Sequence, residues 1–290
     1  MASSGYSVDW SETKDALRAE VARVATLLRS IEDTSPKAVG DWNLGDVAMH
    51  LSQGWVAVPG LARRDLSGVY EVVPGRAGTA GDSLIGDVWD LGGLTMEAVR
   101  ADPERNPKVL ADRIEQRAAD FFRDCEGRSA DERQPWMVEG TTASMATFTC
   151  HLLNETIMHG DDIARAAGRS WPMDAGHASL VIRGFFLPIL AQLDPRSLVV
   201  KDKAAGVQAT YDVRLRGGGS AYFVFEDGAV YVQQPSDRRV DCHILADPVA
   251  LLNVMWGRKS QWTAIATGKL LAWGRRPWLG PRLRLMLRNP

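Results

Sequence analysis

The period of the apolar residues changes once along this chain, near Gly176, and that change limits the folds open to it. Before it, apolar side chains recur at helical spacing: Leu17, Val21, Val24, Leu28 and Ile31 in one segment, and Val109, Leu110, Ile114, Ala118 and Phe121 in another. After it comes one more apolar helix, expected from Ala178 to Leu193. Then Tyr211, Val213 and Leu215 alternate with Asp212, Arg214 and Arg216, the period of a strand with two unlike faces. Helices first and strands later give a two-domain α+β chain: a four-helix bundle over 1–172, and an α/β sandwich with an antiparallel sheet over 173–290. With 290 residues and 45% hydrophobic content the chain can build both cores.

Punctuation places the elements. The first helix runs from about Trp10 to Ile31. Asn43, followed three residues later by Asp46, makes a variant capping box for a second helix that carries His50, with Trp42 just ahead of the cap. The Gly-, Arg- and Pro-rich stretch from Pro59 to Ser83 reads as a long connection, either a cover for a site or a surface loop. A weaker helix from Leu84 to Arg100 follows, then a clearer one from Asn106 to Cys125. Thr141, Thr142 and Ser144 are cap candidates for the longest helix, which runs to Ala167 and closes at Gly168. In the second half, Gly217–Gly219 and Asp227-Gly228 are turns between strands, Val240 to Leu245 is another strand, and Asp247-Pro248 opens a helix.

Several partners and compartments are disfavoured. The net charge is −2, with no basic stripe, so nucleic acid is not expected. No apolar run reaches the ~20 residues of a membrane-spanning helix, and no membrane partner is expected. The N-terminus lacks a secretory pattern, and Cys125, Cys150 and Cys242 stand far apart, which fits a reducing cytoplasm and three structural thiols.

The longest helix holds His151, Glu155 and His159. Glu155 and His159, four apart, leave one face of it. Alone they are an ordinary surface pair. With His50 brought in from the second helix they become an N,N,O donor set with room for a further ligand, the mark of a catalytic rather than a structural metal site. His50 by itself reads first as a satisfied core histidine. His151 lies eight residues before His159, about 12 Å along the axis, too far for both to bind one metal, and is assigned a polar or half-buried place near the bundle end. Asp162, one turn after His159, either orients a ligand or is solvated. Arg214 and Arg216 share a strand face, where they hold a carboxylate or simply meet solvent.

The pattern Trp42-Asn43-x-x-Asp46-x-x-x-His50-Leu51, with Glu155-x-x-x-His159-x-x-Asp162-x-Ala164-Arg165-Ala166, resembles the DinB-like metal-binding bundle. More closely, it resembles the mycothiol-dependent maleylpyruvate isomerase family. Tyr211 to Met286, with Asp247-Pro248-x-Ala250-Leu251-Leu252 and Gly268-Lys269-Leu270, resembles the sterol-carrier-protein-like domain that follows the bundle there. Asn43 stands where that family has Ser or Thr, and still caps. The resemblance implies that His50, Glu155 and His159 hold a divalent metal, usually zinc, although such a set also accepts Ni, Fe or Mn. It implies mycothiol as the low-molecular-weight thiol, an electrophilic small molecule as substrate, S-transferase or cis–trans isomerase chemistry with Asp162 supporting, and an anion-binding role of the kind Arg214 or Arg216 would serve. A monomer or homodimer is expected. Two other readings remain: an apolar-ligand carrier that uses only the C-terminal domain, and a DinB-like protein using another thiol such as bacillithiol.

Overall fold

The computed structural model describes residues 6–68 and 91–288. It divides into two compact units: Asp9–Met173, and a second that begins at Asp174 and takes in the segment before Asp9.

The first unit opens with α1 (Trp10–Arg29), capped by the Asp9 carboxylate, which accepts from the Glu12 N–H. A hairpin of β1 (Lys37–Val39) and β2 (Trp42–Asn43) leads into α2 (Leu44–Arg63). The capping box is present in both directions: Asn43 accepts from the Asp46 N–H, and Asp46 accepts from the Asn43 N–H. Pro59, expected to open the connection, instead lies inside α2. A proline there costs about 3 kcal/mol, and the burial of Val58, Leu61 and Ala62 around it outweighs that cost. The helix stops at Arg64, whose φ of 60° is left-handed. The rest of the long connection to Ser83, and the expected helix start at Leu84, fall outside the described residues; α3 spans Leu91–Ala101.

Next come α4 (Pro107–Asp124), with Asn106 as its cap and Pro107 in its first turn, and a hairpin of β3 (Arg133–Pro135) and β4 (Thr142–Ser144). The hairpin delivers α5 (Met145–Ala166), capped by Ser144 and followed by Gly168 at φ 66°. α1 and α2 each pack against both α4 and α5, which closes the four-helix bundle. α5 is its most enclosed member: from Met145 to Ala164 every residue except Ala146 and Asp161 is buried. A helix buried all round must satisfy its polar side chains internally. On α5 those buried polar side chains include His151, Glu155, His159 and Asp162.

In the second unit the expected single helix is three pieces: α6 (Ala175–Val181), a π turn (Ile182–Phe186) and α7 (Leu187–Leu190). Pro188, lacking the N–H that an α-helix would give to the Gly184 carbonyl, sits at the junction, where the Leu187 N–H reaches back five residues to Ile182. The chain continues through α8 (Lys201–Ala204), β5 (Ala209–Leu215), β6 (Ser220–Glu226), β7 (Ala229–Gln233), β8 (Cys242–Ala246), α9 (Pro248–Met255), α10 (Gln261–Ala266), β9 (Leu270–Trp273), a 3-10 turn (Pro277–Leu279) and α11 (Gly280–Met286). The sheet order is β7-β6-β5-β8-β9. The meander β5-β6-β7 is antiparallel as the alternation predicts, with Asp227 and Gly228 both at positive φ in the tight β6–β7 turn. β8 lies parallel to β5, a pairing between segments distant in the chain, and β9 runs antiparallel to β8.

Candidate metal centre

The capping box fixes the first turn of α2, and His50 follows two turns along. Its ring tilts against Trp42, with centroids 5.1 Å apart, and meets the His159 ring edge-on at 4.7 Å. Glu155 Oε2 lies between the two imidazoles, 3.5 Å from His50 Nε2 and 3.3 Å from His159 Nε2. Ligand atoms of His50, Glu155 and His159 all fall within 4.8 Å of one another, the one such group of three or more among the described residues. His50 from α2 thus meets the Glu155/His159 face of α5 inside the bundle.

The helix is closely packed around His159. Gly160 leaves space that Trp171 fills, since a Cβ there would stand 2.5 Å from the indole. On the other side His159 Nδ1 is 3.3 Å from Asp162 Oδ2, and Asp162, fully buried, also takes Arg165 on its other oxygen. Asp162 is thus not solvated; its carboxylate faces the His159 ring. A proton on Nδ1 toward Asp162 leaves the Nε2 lone pair facing Glu155 and His50.

His151 differs from expectation. It is buried, not half-buried, and sits one turn before Glu155 with Nε2 3.6 Å from Glu155 Oε1. The indole of Trp136 donates to its Nδ1 at 3.4 Å, and Asn154 donates to Glu155 Oε1 at 3.1 Å. The i,i+4 spacing of His151 and Glu155 was visible in the sequence. Trp136 was not, because it comes from the loop of the β3–β4 hairpin.

The electrostatics follow from burial and contact. Burial alone would raise the Glu155 carboxyl, but hydrogen bonds from His159 and His50 outweigh it and hold Glu155 well below the usual carboxylate range. Burial works to lower His159, and Asp162 and Glu155 reverse that, pushing it up to about 9. Burial lowers His50, and takes His151 down to about 4. The protein by itself thus needs a positive charge beside Glu155 and supplies it with a proton on His159. A divalent cation meets the same need, and the donor set of two imidazole nitrogens and one carboxylate oxygen fits it.

Residues 17–164, more than half of the chain, match the family model of the mycothiol maleylpyruvate isomerase N-terminal domain. The chain belongs to this family. Residues 190–274 of this maleylpyruvate isomerase family member match the SCP-2 sterol transfer family. Two crystal structures of the mycothiol-dependent maleylpyruvate isomerase, one of them a histidine-to-alanine mutant, share its fold at 10% identity, with TM-scores of 0.52 and 0.51. In both cases the likeness covers 93% of this chain and 95% of the other. A comparison with curated proteins found no match.

Arg214 and Arg216 belong to the C-terminal unit. Arg214 lies on β5 and grips Asp212 through Nε at 2.6 Å, while half of its side chain stays exposed. Arg216 lies just past the end of β5 and donates to the Gly268 carbonyl at 2.7 Å, so the shared strand face does not extend to it. Cys125, Cys150 and Cys242 are all buried, and burial pushes the thiols of Cys125 and Cys242 up to about 11, away from thiolate chemistry.

Proposed function

We propose that this chain is a cytoplasmic, divalent-metal-dependent enzyme that turns a low-molecular-weight thiol, mycothiol, on an electrophilic small molecule as a cis–trans isomerase or S-transferase. The observation that carries the reading is the convergence of His50, Glu155 and His159 in the bundle interior. In this reading those three residues hold the metal, with zinc the metal the family resemblance names. When bound there, the metal supplies a Lewis acid that keeps a thiol in its thiolate, nucleophilic form.

The chain's own residues do the rest. Glu155 brings one negative charge and the two histidines none, so a divalent ion keeps a net positive charge that favours an anionic sulfur. Asp162 fixes the His159 ring, and Arg165 fixes Asp162. The low exposure of all three donors keeps competing water scarce and strengthens every charge interaction in the site. Reversible addition of the thiol to a double bond removes the barrier to rotation; addition without return makes the adduct the product.

The test is metal analysis of the purified protein alongside thiol-dependent turnover of maleylpyruvate-like electrophiles. Stoichiometric metal and turnover that disappear together in His50→Ala support the reading; a metal-free protein with full activity ends it. The match of 190–274 to a sterol transfer family favours a second reading, an apolar-ligand carrier. That reading requires tight binding of fatty acyl ligands, indifferent to the same substitution, with no thiol-dependent turnover.

A further inference from the structure

Glu155 has two carboxylate oxygens, and the bundle treats them differently. Oε2 faces His50 and His159. Oε1 accepts from Asn154 Nδ2 at 3.1 Å and lies 3.6 Å from His151 Nε2. The state of His151 follows from elementary chemistry. An indole N–H can only donate, so Trp136 Nε1 makes His151 Nδ1 an acceptor. A neutral imidazole with an accepting Nδ1 carries its proton on Nε2, the nitrogen that faces Glu155 Oε1. The protonated nitrogen of His151 is therefore the one nearest Oε1, and at 3.6 Å it acts on that oxygen through its field, while Asn154 makes the hydrogen bond.

We infer that His151, its tautomer set by Trp136, is a positioning residue that reserves Glu155 Oε1 for protein donors and so presents Oε2 alone to a metal. This rests on the metal-site reading proposed above. A carboxylate free to rotate can bind through both oxygens and take up a coordination position. One whose Oε1 is already engaged binds through a single oxygen and leaves that position to the incoming sulfur. The donors on Oε1 also draw charge away from Oε2, which leaves the bound ion the stronger Lewis acid. Outer partners of this kind typically govern metal affinity by about 10–100-fold.

The experiment uses the full chain and measures zinc affinity by competition with a chromophoric chelator, together with the visible spectrum of the cobalt-substituted protein. His151→Leu removes the donor at similar bulk; the expected results are about 10–100-fold weaker zinc binding and altered cobalt bands. His151→Gln returns an amide N–H near the lost Nε2 and is expected to restore both to near wild type. Trp136→Phe keeps the aromatic packing, releases the tautomer and is expected to fall between them, and it serves if His151→Leu does not fold. Wild-type zinc affinity and cobalt spectra in both His151→Leu and Trp136→Phe overturn the inference, as does a His151→Gln protein no better than His151→Leu. A wild-type protein that binds no metal overturns the site reading itself, so the two failures are distinct.

Discussion

Among the described residues a buried carboxylate meets histidine in each unit, and the two carboxylates differ in their remaining partners. In the C-terminal unit Asp212, almost fully buried, accepts from His243 Nδ1 at 2.9 Å and from Arg214 at 2.6 Å on the same oxygen. The His243 ring stacks flat on Trp273 at 5.3 Å. In the bundle Glu155 faces three imidazoles, and no guanidinium or ammonium group contacts it among the described residues; Arg165 goes to Asp162 instead. One carboxylate is neutralised internally by a permanent cation. The other is surrounded by groups that are good ligands when neutral. A buried charge must be paired, and the kind of partner left to it separates a structural ion pair from a candidate metal centre.

The largest expected effect breaks this comparison directly. Glu155→Ala or His159→Ala should take bound metal from stoichiometric to none by elemental analysis. Thiol-dependent turnover should fall by about a thousandfold, the equivalent of the several kcal/mol a bound metal supplies. His243→Ala should change neither. If His243→Ala strips the metal as well, or His159→Ala keeps it, the two clusters are not different in kind.

A smaller effect sharpens the bundle side. Asp162→Ala leaves the donor set intact but frees the His159 ring, so metal affinity should fall by about 10–100-fold with little change in the stoichiometry reached at saturation. Unchanged affinity would mean that the helix and its packing hold the ring without Asp162. On the other side, Asp212→Ala leaves Arg214 and His243 without their shared acceptor. It should cost about 1–3 kcal/mol, read as a lower urea midpoint for the C-terminal unit, with metal content untouched.

The bundle was more legible in the sequence than the sheet, and the reason is range. Helix faces follow from local spacing, so the Asn43–Asp46 box and Ser144 could be read as caps, and Glu155 with His159 as neighbours, from residues three or four apart. His50 needed one further step, the packing of α2 on α5, which a four-helix bundle nearly dictates. The role of His151 was hidden because the distance argument that separates it from His159 says nothing about Glu155, halfway between them. Trp136 reaches His151 from a hairpin whose position depends on the folded bundle. In the C-terminal unit, alternation revealed β5, β6 and β7. The parallel placement of β8 beside β5, which creates the Asp212–His243 pair, depends on a crossover with no local signature. Pro59 and Pro188 misled in opposite ways: burial overrode the first inside α2, and a π turn accommodated the second.

The smallest effect concerns pH and tests the internally neutralised side of the comparison. Asp241, just before β8, accepts the Thr210 N–H at 3.1 Å and pairs with Arg275, with Arg276 at 3.8 Å. Burial works to raise its carboxyl, but Arg275 and the Thr210 N–H outweigh it, so it sits below its ordinary value. A carboxyl that is more acidic when folded than when unfolded, where its pKa is about 3.9, adds stability above that unfolded value. The gain is lost as pH falls through the folded value. Because Arg275 is half exposed, solvent screens the pair and the gain is modest, about 1 kcal/mol or less. Asp241→Asn should therefore lower the urea midpoint at pH 7, and the gap to wild type should close as the pH is taken below about 3. A gap that persists unchanged in acid would show that Asp241 acts through packing and the Thr210 hydrogen bond rather than through charge. The Asp241–Arg275 pair would then owe less to its charges than its geometry implies.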